Sequence, residues 1–132
     1  MIAAQSTARH YQRMQLATAD RGRLLLLMFE GALRFLALAQ AAVEQGDLAQ
    51  FGTQLARAQA VIAELMHTLD HKAGGEIATN LERLYRFMLD HLVEANLQKS
   101  REHIRQVWRL LDIIAGAYRE ILHQGVGRVD AA

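Results

Sequence analysis

The sequence predicts an all-α fold, an antiparallel up-down-up-down four-helix bundle with an N-terminal arm. Three observations carry that expectation. There is no proline among 132 residues, and the glycines fall mostly between periodic segments, which suits long helices joined by tight turns. Four segments repeat apolar residues at helical 3–4 spacing. The links between them are short, about two, five and four residues, and short links force consecutive helices to run antiparallel. The length suits one domain with one core.

The elements follow in order. Residues 1–19 have weaker periodicity and form an arm. Helix 1 is expected from an Asp20 N-cap to about Gln45, with Gly46 in the left-handed conformation after it. Asp47 opens helix 2, with Gln50 at capping-box distance. Leu48, Phe51, Leu55, Ala58, Ile62, Leu65 and Leu69 form its seam, and Gly74–Gly75 end it. Helix 3 carries Ile77, Leu81, Leu84, Met88, Leu92 and Ala95, and Asn96 is its expected terminator. Ser100 caps helix 4, whose seam is Ile104, Val107, Leu111, Ile114, Tyr118 and Ile121. The bundle spans 20–125, and 126–132 form a flexible tail.

Composition excludes several function classes. The formal charge is +1, so no strong field draws the chain to nucleic acid or anionic lipid. There is no cysteine, which removes disulfides and thiolate chemistry and fits a reducing compartment. Residues 23–43, RLLLLMFEGALRFLALAQAAV, resemble a membrane span. Yet Glu30 and Arg34 stand near the middle, each costing about 2.5–3.5 kcal/mol against lipid. They form a favourable i,i+4 pair instead, so no membrane insertion is expected.

No nucleophile elbow, P-loop or dinucleotide pattern appears, and the acids are spread singly, often with an arginine at helical spacing, as in Glu82–Arg86. An enzyme is not expected, nor a cofactor. Glu64-Leu-Met-His67 and Glu120-Ile-Leu-His123 have the spacing of di-iron ligands in bundles. Both lie about 140–160° from their helices' seams, so they are expected at the surface and no metal site is assigned. His67 and His71, at i,i+4, have the spacing of a surface metal pair and are read as chance. His103, Trp108 and Arg109 on helix 4 read as a solvated face with a half-buried tryptophan rather than a nucleic-acid patch.

Helix 1 has more apolar surface than one bundle helix needs. One seam runs through Leu24, Met28, Gly31, Phe35, Leu38 and Ala42. A second, about 130–150° round, holds Leu26, Phe29, Leu33 and Leu36. A bundle helix usually needs a stripe a little over ~100° wide. Smaller excesses stand off the seams of helix 3 (Leu89, Val93, Leu97) and helix 4 (Ile113). Two readings stay open: the two neighbouring helices and the arm cover all of this surface, or it forms a groove for a foreign apolar segment, since large apolar patches usually mark partner sites. The arm offers Tyr11, Met14 and Leu16 as a weak lid. Each contributes about 1.5–3 kcal/mol on full burial, against ~1–2 kcal/mol of backbone entropy per ordered residue.

The run GGEIATNL at 74–81, Leu84-Tyr85, VEANL at 93–97, LLLLMFEGALRF and the Gln-Gly-Asp turn at 45–47 together closely resemble the flagellin-specific export chaperone family, FliS. The resemblance covers about residues 9–124. It implies a bundle that binds the C-terminal segment of flagellin in the bacterial cytosol. That segment wraps the bundle, premature polymerisation is blocked, and the subunit goes to the flagellar type III export apparatus. It further implies that Tyr11, with the arm, contacts an export gate component and overlies the groove. Where the family often has an aliphatic residue three positions before this tyrosine, Ala8 stands here. The groove is expected at Leu26, Phe29, Leu33 and Leu36, with Val93 and Ile113 beside it. The competing expectation is a helical scaffold whose surplus face makes a homodimer.

Overall fold

The computed structural model describes the backbone of residues 2–131 and the side chains of residues 21–124. Four helices follow one another, α1 (Ile2–Glu44), α2 (Leu48–His67), α3 (His71–Gln98) and α4 (Arg101–Ala131), and no strand occurs among the described residues. α1 packs against α2 and α4, and α3 packs against the same two, so α1 and α3 occupy opposite corners of the bundle. With links of two or three residues, this is the predicted up-down-up-down arrangement.

Local chemistry sets each turn. At the first, Gly46 takes φ +76°, and the Asp47 N–H returns to the Ala42 carbonyl at 2.9 Å, closing the helix end. The Asp47 carboxylate then accepts the Gln50 N–H at 3.1 Å, as the capping-box spacing predicts. At the third, the positive-φ residue is Lys99 (φ 51°), and α3 runs on to Gln98, past the terminator expected at Asn96. The Ser100 Oγ accepts the His103 N–H at 3.3 Å and caps α4.

The second turn differs from expectation. α2 stops at His67, well before the two glycines. Thr68 ends it by donating its Oγ1–H to the Leu65 carbonyl at 2.7 Å. Asp70 at once starts α3, accepting the N–H groups of Lys72 and Ala73 at 3.1 Å each. The glycines therefore kink the first turn of α3 instead of separating two helices. Gly75 has φ 50°, ψ −121°, a conformation that L side chains rarely adopt. α1 also passes through Asp20 without the predicted cap, and α4 continues beyond Gly125.

The core is a single cluster. α2 contributes Phe51, Leu55, Ala58, Ile62 and Leu65, and α4 contributes Ile104, Val107, Leu111 and Ala115, close to the predicted seams. Three seam-end residues are instead exposed: Leu48 (55%), Ile77 (71%) and Ile121 (64%). Beside Ile77, just past the kink, Ala78 takes the inward position at 3% exposure. α3 adds Tyr85, Met88, Leu92 and Ala95.

Candidate protein-binding surface

The surplus apolar surface of α1 divides in a way its sequence does not reveal. The stripe that enters the core is Phe29, Ala32, Leu36 and Ala39, spaced at three and four residues. The two alanines let the neighbouring helices approach, and the larger side chains on either side become flanks. Met28 and Phe35 pack partly buried on one flank, Leu33 on the other. This corrects the expected groove. Phe29 and Leu36 are 2% and 0% exposed and belong to the core, while Leu26 and Leu33 are half-buried. Leu24, Leu27 and Leu38 remain on the outer face.

Val93 and Ile113 are exposed, as a binding surface requires (50% and 69%). They belong to two strips on opposite flanks of α3. The His91 ring lies 4.4 Å from that of His103 and bonds to Gln106, which identifies the α4-facing flank of α3. Phe87, one turn earlier on this flank, stacks on His91 at 5.0 Å with planes 22° apart. Ile113 stands two turns beyond Gln106 on the matching flank of α4. Val93 and Leu97 lie about 80–160° from these positions around the α3 axis, across its outer face, towards α2. Phe87, Leu97 and Ile77 were not among the site residues expected from sequence. The signal for Leu97 and Phe87 was the angle off the seam, noted for Leu97 and overlooked for Phe87, whereas Ile77 stood on the predicted seam, just past the Gly75 kink.

An apolar cavity of about 310 Å³ opens at the bundle end that holds the α2–α3 turn, with Phe29, Leu69, Ile77, Leu81, Tyr85 and Tyr118 among its walls. It lies where the kink at Gly75 sets the start of α3. Tyr85 is almost fully buried beside it. Burial, and secondarily the charge of Tyr118, push its phenol up to about 12. The Tyr85 phenol therefore stays protonated at neutral pH, and Asp70 also lines the cavity.

Ion pairs surround these strips without entering them. Glu30 meets Arg119 of α4 at 3.6 Å, not Arg34 as the spacing predicted. The Arg34 and Arg57 guanidiniums both lie over the Phe35 ring, at 5.5 and 6.0 Å, and cover that flank. Arg86 pairs with Glu82 at 3.0 Å, and Arg101 with Glu44 at 3.1 Å. Glu64, His67, Glu120 and His123 all lie on the surface, and Trp108 is half-buried. The segment Arg21–Glu44 has the length and hydropathy of a membrane span, but its inner stripe is spent on the bundle core. The side chains of Tyr11, Met14 and Leu16 fall outside those described.

Comparison with known proteins agrees with this architecture. A family model described as "Flagellar protein FliS" matches residues 3–125. A "Flagellar secretion chaperone FliSB" of Pseudomonas aeruginosa is 33% identical over 124 residues, covering 91% of this chain and 98% of that protein. A "Flagellar secretion chaperone FliS" of Salmonella typhimurium is 39% identical over 105 residues, covering 79% and 78%. One from Bacillus subtilis is 31% identical over 106 residues, covering 80% and 78%. An all-helical bundle with apolar strips left on its surface, matched along nearly its whole length, belongs to the FliS family of flagellar secretion chaperones.

Proposed function

We propose that this chain binds the C-terminal segment of flagellin in the bacterial cytosol, keeps it from polymerising early, and delivers it to the flagellar type III export apparatus. The observation that carries this reading is the pair of exposed apolar strips on opposite flanks of α3, Phe87 with Ile113 and Val93 with Leu97. A flexible segment reaches both by passing round the bundle.

The energetics favour such a client. Each large apolar side chain contributes about 1.5–3 kcal/mol on full burial. Ordering the client costs ~1–2 kcal/mol per residue, so a few closely spaced anchors must support each stretch. The cavity beside Ile77 suits an inserted apolar side chain from the client. Leu26, Leu33, Val93 and Ile113 remain in the proposed surface, joined by Phe87, Leu97 and Ile77. The arm, with Tyr11, Met14 and Leu16, is proposed to contact the export gate.

Light scattering after size exclusion tests the proposal, with full-length flagellin, flagellin lacking its C-terminal segment, and that segment alone. The expected result is a defined complex with the first and third and none with the second. A chain that is already a stable homodimer and ignores all three would establish the scaffold reading instead.

A further inference from the structure

We propose that the cleft between α1 and the α2–α3 turn binds the free α-carboxylate at the C-terminal end of the client chain, with Arg21 as its counter-charge. This rests on the flagellin reading above and adds to it the chemistry of one subsite.

The cleft has a volume of about 580 Å³ and two kinds of wall. Leu24, Leu25, Met28 and Leu69 give it apolar surface, while Arg21, His67, His71 and Lys72 give it basic surface. Leu25, Thr68, Leu69 and Asp70 also line the apolar cavity beside Tyr85, so the two spaces adjoin at one end of the bundle.

The charges in the cleft do not cancel. Asp70 is the one acid among its described walls, and its carboxylate already accepts the N–H groups of Lys72 and Ala73 at 3.1 Å each. Arg21 and Lys72 stand against it, and neither pairs with a carboxylate among the described residues. The Arg21 Nη2 donates to the Thr68 carbonyl at 3.0 Å. That bond ties the side chain to the turn and spends one of the several N–H donors of a guanidinium. The rest remain for an anion, and a single guanidinium can take both oxygens of a carboxylate.

An anion suited to this place carries apolar surface with it, because a bare ion gains nothing from leucine walls. A C-terminal segment of any sequence ends in one negative charge, the α-carboxylate of its last residue. That group sits on the backbone. It can meet Arg21 while the side chains just before it cover Leu25, Met28 and Leu69, all half-buried, and Leu24, which is 58% exposed. Three apolar walls and one counter-charge thus fit the end of an apolar chain better than its middle.

Calorimetric titration with three synthetic forms of the flagellin C-terminal segment tests the subsite. They are the free acid, the C-terminal amide, and the free acid extended by Gly-Ser-Gly, which moves the charge away. The parent protein should bind the free acid about tenfold more tightly than either other form, the loss expected for one charge-assisted pair. Arg21→Gln should weaken the free acid to the level of the amide and leave the amide unchanged. Arg21→Lys keeps the charge but loses the planar fork, and should lie between. Arg101→Gln, beside Glu44 at the opposite end of the bundle, should keep the full difference between acid and amide. Equal affinity of the parent for all three forms overturns the proposal and leaves the flagellin reading standing. A tenfold loss on amidation that persists in Arg21→Gln also overturns it. Binding of none of the forms overturns both. The comparison of peptides on the parent protein decides even where a substituted chain folds poorly.

Discussion

The ring of Phe29 on α1 lies 5.6 Å from that of Tyr118 on α4, centroid to centroid, with planes inclined at 50°. This tilted aromatic pair locks one side of α1 against α4 and places Phe29 in the core at 2% exposure. Two residues earlier, Leu27 is 64% exposed. Phe29→Ala should cost about 3–5 kcal/mol, and Leu27→Ala about 0.5 kcal/mol or less. Urea denaturation of the two substituted chains measures the difference. Equal losses would mean that α1 is rotated from the position described.

The strips on α3 should separate binding from stability. Phe87→Ala and Leu97→Asp replace side chains that are 51% and 72% exposed. Each should weaken binding of a flagellin C-terminal peptide by about tenfold or more, equivalent to ~1.4 kcal/mol. Tm should change little. Calorimetric titration provides the readout, and undiminished affinity in both would remove α3 from the binding surface.

Gly75 gives a test of backbone conformation alone. A Cβ there meets nothing within 4 Å, yet φ is +50°. Gly75→Ala should therefore destabilise by about 1–3 kcal/mol through strain and not through collision. A semisynthetic chain with D-alanine at this position, whose preferred φ is positive, should recover most of that loss. Chemical denaturation compares the three chains.

Tyr85 predicts alkaline sensitivity. Its phenol is raised from 10.0 to about 12, first by burial and then by Tyr118. Below about pH 10 both folded and unfolded chains hold the proton, and the contribution is complete. Between 10 and about 12 the unfolded chain loses its proton first, so stability falls as pH rises, by ~2–3 kcal/mol at most. Tyr85→Phe should flatten that part of the profile. Urea midpoints at pH 8, 10 and 11.5 check both the sign and its origin.

Particular residues show how far the sequence reading reached. The caps at Asp47 and Ser100 and the left-handed Gly46 were legible, because they depend on hydrogen bonds between residues only a few positions apart. The Thr68–Asp70 turn was not. Leu65 and Leu69 continue the helical spacing across it, and periodicity cannot distinguish a helix from two capped ends that share its phase. Of the expected site, Val93 and Ile113 stand exposed because each lies well off the single seam of its helix. Phe29 and Leu36 were misplaced because large side chains dominate a reading by hydrophobicity, while the core also counts Ala32 and Ala39.

By itself the sequence determined the helical class, the number of helices, two of the three turns and the excess of apolar surface. All of these follow from short-range periodicity, capping and composition. The tertiary structure decided which of helix 1's two apolar faces is enclosed, that Glu30 pairs with Arg119 across helices, and that α3 presents apolar side chains on both flanks. Those outcomes depend on how far each helix rotates about its axis once it meets two neighbours, and packing all four together sets that rotation.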